Sequence, residues 1–127
     1  MSNKSLYRSK YEQNFSIFTF YAHSKGISFY IYRFLVTAKD QNEKYQQGRT
    51  KPGNIITNCD GYKKKSNHQS GLAKDVIILD KTGKEIWDHI PEYDILGEIW
   101  ERLGGKWGGR WYIEGKTKFD DCYHFEM

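Results

Sequence analysis

Ser66-Asn67-His68-Gln69-Ser70-Gly71-Leu72-Ala73-Lys74-Asp75-Val76-Ile77-Ile78-Leu79 joins a polar loop to an apolar run, and this junction sets the architecture. Asp75 to Leu79 is short, β-branched and bounded by turn residues, which predicts a buried strand. Asp80-Lys81-Thr82-Gly83 then makes a hairpin turn into Lys84-Glu85-Ile86-Trp87, so the strand acquires an antiparallel neighbour. His68 and Asp75 are separated by six residues. The histidine leaves the loop, Gly71 lets the backbone turn, and the aspartate opens the strand, so both side chains can converge on one point.

Helical and extended patterns surround this hairpin. From Tyr11 to Lys25 the apolar residues Ile17, Phe18, Tyr21 and Ala22 recur at helical spacing, with Gly26 as the C-terminal cap. Ile27 to Phe34 alternates Ile27, Phe29 and Ile31 against Ser28, Tyr30 and Tyr32, a strand with an aromatic second face. Thr37-Ala38-Lys39-Asp40 resembles a capping box opening a short helix that Gly48 ends. Lys51-Pro52-Gly53-Asn54 is a turn, followed by a short strand at Ile55-Ile56-Thr57 and an irregular loop to Asn67. A long loop inside a compact domain is more often functional than idle. Pro91 starts a helix with Ile95, Leu96, Ile99, Trp100 and Leu103 on one side, closed by Gly104, and His124-Phe125-Glu126 forms a last strand. The expectation is an α+β fold, a small antiparallel sheet flanked by helices, in one domain over residues 1–127.

The length allows a real core without disulfides. The formal charge of +4 favours anionic partners such as nucleic acid, membrane surfaces or cell-wall polymers without choosing among them. Lys63-Lys64-Lys65 reads first as a solvated loop. Cys59 and Cys122 have no metal-ligand spacing and read as free thiols. The N-terminus Met1 to Arg8 lacks the apolar core of a signal peptide, and no apolar run reaches the ~18–20 residues that span a bilayer. The chain is therefore expected to be made soluble in the cytoplasm and to reach any outside target only on release.

Downstream, Asp121-Cys122-Tyr123-His124 supplies a further histidine and carboxylate. A catalytic zinc takes three protein nitrogen or oxygen ligands and keeps one position open for water, and His68, Asp75 and His124 provide such a set. Spacing alone is weak support, because a His and an Asp six residues apart are commonly surface or core residues. The wider pattern is Ser66-x-His68-x-x-Gly71-x-Ala73-x-Asp75, then Trp107-Gly108-Gly109-x-Trp111, then Asp121-x-x-His124-Phe125-Glu126. With Gln41, Gly48-Arg49-Thr50-Lys51-Pro52-Gly53 and Ile56-Thr57-Asn58, this resembles the zinc D-alanyl-D-alanine carboxypeptidases and L-alanyl-D-glutamate endopeptidases. These are the VanX/VanY-type peptidases that include phage endolysins.

The resemblance implies that His68, Asp75 and His124 bind Zn2+ on the antiparallel sheet and that Asp121 is the catalytic carboxylate. Asp121 would take a proton from the attacking water and pass it to the leaving amine. Asp120 and Glu126 compete for that role, and Glu126 reads otherwise as the acceptor that fixes a ligand imidazole. Gln41, Arg49, Ser66 and Trp111 are taken as substrate-binding, although Ser66 suits a local turn equally and Trp107 and Trp111 suit packing. His23 and His89 read as structural. Val36 stands where the family usually carries an arginine, leaving Arg33 or Arg49 as candidate replacements. The implied substrate is the peptide stem of bacterial peptidoglycan, cut at the L-Ala–D-Glu bond by a monomer released through phage-type lysis. The alternatives are a D-Ala-D-Ala carboxypeptidase or dipeptidase and a non-catalytic zinc-stabilised wall-binding domain. No nucleic-acid motif accompanies the basic charge.

Overall fold

Alternation along the central strand explains the sheet. A computed structural model describes residues 3–127, so Met1 and Ser2, the first positions of the stretch expected to lack a signal peptide, lie outside the described residues. In chain order the elements are α1 (Lys4–Ser24), β1 (Ser28–Arg33), α2 (Ala38–Gln46), β2 (Ala73–Leu79), β3 (Glu85–Ile86), α3 (Pro91–Arg102), β4 (Lys106–Trp107), α4 (Gly108–Ile113) and β5 (His124–Glu126). The sheet runs β1-β2-β5-β4, with β3 also on β2, and every pairing is antiparallel. Val76 and Ile78 of β2 enter the core. Asp75 and Ile77, on the opposite face by the two-residue period of a strand, line a cleft. No helix among the described residues is long and apolar enough to cross a membrane.

The helical side of the core is aromatic. α1 buries Tyr11, Phe15, Phe18 and Ala22, a stripe at spacings of four and three residues. Ile17 and Tyr21, expected on that stripe, are exposed, and the helix begins at Lys4, ahead of the Tyr11 start read from apolar periodicity. Its first two turns carry few apolar residues, so the periodic signal misses them. Trp100 of α3 meets Tyr11 at 5.2 Å and Phe18 at 5.6 Å between ring centroids. Truncating such a residue to alanine costs about 3–5 kcal/mol. Lys74, buried on β2, forms an ion pair with Glu12 of α1 and clasps the sheet to the helix.

Three local expectations are corrected. Ile31 keeps the register of Phe29 and pairs with Val76, yet on the edge strand β1 it stays exposed, and the register slips just beyond it, between Ile31 and Arg33. Ile55-Ile56-Thr57 forms no strand. The backbone there is braced by the Gln41 side chain, which donates to Thr57 Oγ1 and the Cys59 carbonyl. β4 and α4 are an unforeseen strand and helix in the Gly- and Trp-rich segment. Gly97 of α3 admits the Trp107 ring, which a Cβ there would meet at 2.2 Å. The capping reading holds: Thr37 Oγ1 accepts from the Asp40 N–H at 3.1 Å.

Candidate metal centre

His68 sits in the turn before β2, Asp75 in β2 and His124 in β5. Antiparallel pairing places Asp75 directly opposite His124, and Gly71, at φ +70°, turns the loop so that His68 reaches the same spot. His124 Nδ1 lies 3.1 Å from Asp75 Oδ1 and 3.2 Å from His68 Nε2, and His68 Nε2 lies 3.2 Å from Asp75 Oδ1.

The outer nitrogens fix what those inner atoms are. His68 Nδ1 is 3.0 Å from the Phe34 carbonyl oxygen, which can only accept, so the ring proton resides there. His124 Nε2 is 2.7 Å from Glu126 Oε1, again an acceptor, and the other Glu126 oxygen accepts from Asn67 Nδ2 at 2.7 Å. In its neutral form each ring therefore turns a lone pair inward, toward the Asp75 carboxylate. In that form three acceptors face one another, and such a triangle attracts a cation. The triangle also has the right size, since ligands about 2.0–2.1 Å from a tetrahedral ion stand about 3.3 Å apart. Even a proton responds to this field. Burial opposes the charge on His124, yet hydrogen bonds with Asp75 and Glu126 raise its pKa well above the ordinary histidine range. Conversely, burial disfavours a charged Asp75, but the two imidazoles hold its carboxyl below the usual carboxylate range.

Asp121 flanks the triangle, with Oδ2 4.0 Å from His124 Nδ1. Burial pushes its carboxyl up to about 6, with His124 pulling it down and Asp75 pushing it further up. Its backbone rests on Gly108, where a Cβ would come within 2.3 Å of the Asp121 carbonyl oxygen. The Trp-Gly-Gly stretch thus seats the Asp121–His124 turn.

These groups open into a cleft of about 590 Å³. Gln41, Ser66 and Trp111 line it. Gln41 is almost wholly buried and accepts from Arg33 Nη2 at 2.9 Å. Ser66 Oγ accepts from the His68 N–H, the local-turn arrangement. The Trp111 ring lies 5.7 Å from that of His124. Arg49 lies apart from the cleft: it stacks on Tyr45 at 3.7 Å and donates to the Tyr45 carbonyl. Sequence reasoning missed Phe34 and Asn67, whose roles come from a backbone carbonyl and a contact across 59 residues, neither of which leaves a local pattern.

A family model described as D-alanyl-D-alanine carboxypeptidase matches residues 60–127, the stretch that contributes all three converging side chains. The chain belongs to that family. It is 40% identical over 116 residues to the peptidoglycan L-alanyl-D-glutamate endopeptidase CwlK of Bacillus subtilis (strain 168), a match covering 84% of this chain. The chain spans 64% of that relative's length. The fold is shared with the crystal structure of the Serratia marcescens L-Ala D-Glu endopeptidase ChiX. That match has a TM-score of 0.52 and 20% identity, and it covers 80% of this chain and 67% of that one.

Proposed function

We propose that residues 1–127 form a single zinc-dependent peptidase domain that hydrolyses the peptide stem of peptidoglycan between L-alanine and D-glutamate. The observation that carries this reading is the triangle of three acceptors, 3.1–3.2 Å on a side, whose rings direct their protons outward. The endopeptidase named as the 40% identical relative supports the choice of bond.

His68, Asp75 and His124 would hold the zinc. When bound, zinc supplies a Lewis acid that acidifies water and polarises a carbonyl oxygen. Asp121 takes the proton of the attacking water and returns it to the leaving amine, from a position beside the triangle with Oδ2 4.0 Å from His124 Nδ1. Glu126 keeps the His124 ring in the tautomer that offers Nδ1. Arg33 does the work for which Val36 has no charge. Its guanidinium lines the cleft, is steadied by Gln41 and favours the charged form of Asp121, so it can pair with a substrate oxygen.

The experiment is digestion of purified peptidoglycan by the zinc-loaded protein, with released fragments identified by mass spectrometry. Stem peptides beginning with D-glutamate are expected. Release of free D-alanine alone would instead favour the terminal carboxypeptidase reading that the family description suggests. Absence of any cleavage would overturn both and leave a wall-binding domain.

A further inference from the structure

The cleft has two unlike ends. Lys64, Lys65 and Arg33 line it together with the polar loop that precedes β2. On the side toward Ile77 the lining becomes aromatic: Trp87 just beyond β3, Tyr123 just before β5, and Tyr32 of β1, whose ring reaches Trp87. The Tyr32 and Trp87 rings meet edge to face at 5.2 Å, and Trp87 meets Tyr123 at 5.6 Å. The Tyr123 hydroxyl donates to the Trp87 carbonyl, and its ring packs against Tyr93 at 5.2 Å, so the group is held from behind. In front it is open, with Tyr32 47% and Trp87 46% exposed. Neither the converging histidines nor Asp121 uses these rings.

Their distance from the triangle follows from the strand. Ile77 lies two residues beyond Asp75 on the same face, about 6.6 Å along β2. Ile86 pairs with Ile78, so the next residue, Trp87, comes level with Ile77. Trp87 therefore stands about 7 Å along β2 from Asp75, with Tyr123 opposite Val76 and Tyr32 at the β1 slip completing the wall on the nearer side.

Peptidoglycan chemistry puts a sugar at that reach. In the L-Ala–D-Glu reading, on which this inference rests, the attacked carbonyl belongs to an alanine whose amine is joined to the lactyl ether of an N-acetylmuramic acid. One residue, about 3.6 Å, and a lactyl group of similar length separate carbonyl from ring. A hexosamine offers an apolar C–H face to an aromatic wall while its hydroxyl and acetamido groups stay wet, the kind of partner that amphipathic aromatics suit. The opposite direction along the stem carries the acids, and there the cleft is basic. We infer that Tyr32, Trp87 and Tyr123 form a glycan subsite that receives the N-acetylmuramic acid ring bearing the stem.

Two measurements test this. The first compares kcat/KM for a disaccharide-linked stem peptide with that for the same peptide lacking sugar. Trp87→Ala should lower the ratio of the two at least fivefold and Trp87→Phe should restore most of it, whereas a purely structural role would lower both rates together and overturn the inference. The second needs no catalysis, so it decides the subsite even if the wild type cuts neither substrate and the activity reading fails. The N-acetylglucosaminyl-N-acetylmuramic acid disaccharide is titrated into 15N-labelled protein, with the Trp87 indole signal assigned by its loss in Trp87→Phe. A saturable shift of that signal, larger than those of the other three tryptophans, is expected. No shift at millimolar disaccharide, or a shift centred on Trp111, would overturn it.

Discussion

His124 stands between Asp75 and Glu126, and His89 stands between Asp94 and Asp120, so by residue type and distance the two sites look alike. His89 Nδ1 is 2.6 Å from Asp120 and its Nε2 is 3.0 Å from Asp94. With Asp120 and Cys122 it even gathers donor atoms closely enough for a metal. The difference lies in what completes each cluster. At His89 the ring is paired on both sides by carboxylates, Asp120 and Asp94, and among the described residues no second imidazole joins it. Burial also pushes the Cys122 thiol up, keeping it protonated. At His124 a second imidazole, His68, fixed on its outer side by the Phe34 carbonyl, joins Asp75 on the inside, so a cation meets two nitrogens and a carboxylate. Proximity of ligand-type residues is therefore a poor guide to a metal site, and the direction of the outer hydrogen bonds is a better one.

The sharpest way to break the comparison is to remove one histidine from each site. His68→Ala and His124→Ala should abolish stoichiometric zinc and all detectable hydrolysis, whereas His89→Gln should retain full zinc by metal analysis. Loss of zinc in His89→Gln, or its retention in both other variants, would reverse the assignment of the two sites. Next in size is Asp121→Asn, which keeps shape and zinc while kcat falls by about 10²–10⁴-fold. The neighbouring Asp120 gives the control, because its carboxylate is turned to His89. If Asp120→Asn were the inactive variant, the proton carrier would sit in the other cluster. Smaller again is Glu126→Gln. It leaves all three inner atoms in place but weakens the acceptor that orders the His124 ring, and zinc affinity should drop by about 10–100-fold in a chelator competition.

How much of this could be read in the chain follows from where each signal resides. β2, the Asp80–Gly83 turn and α3 depend on local periodicity and capping, and all three appear near their expected places. His68, Asp75, Asp121 and His124 were legible because they recur in ordered motifs, and the structure gathers them around one point. What stayed hidden depends on contacts remote in sequence. The role of Gly108 requires knowing that Asp121 passes over it. That Arg33 lines the cleft while Arg49 lies apart from it depends on the Gln41 brace on one and the Tyr45 stack on the other. The aromatic wall draws on three separate strands or strand ends, and only the Tyr30–Tyr32 face of β1 hinted at it.

The smallest expected effect concerns His89 itself, and it would sharpen the contrast by showing what the second cluster does. Partial burial works against its charge, but hydrogen bonds to Asp120 and Asp94 outweigh this and raise its pKa above 6.5. A group whose pKa rises on folding stabilises the native state fully below the unfolded value, and this contribution fades as pH climbs through the folded value. The groups facing the ring are Asp94 from α3, Asp120 and Cys122 from the turn before β5, and the rings of Tyr93 and Trp107. At pH 5.5 carboxylates are ordinarily ionised and His89 is charged, so both pairs are intact. Wild type should then exceed His89→Gln by up to about 1 kcal/mol, or roughly 3–6 °C in Tm. By pH 9 the electrostatic part should be gone, leaving only the difference in packing against Tyr93 and Trp107. Melting curves at the two pH values, with chelator present so that metal loading does not contribute, check this. A gap between the two proteins that stays constant from pH 5.5 to 9 would mean that His89 is held as a neutral ring, and the ion-pairing role given to the second cluster would fall.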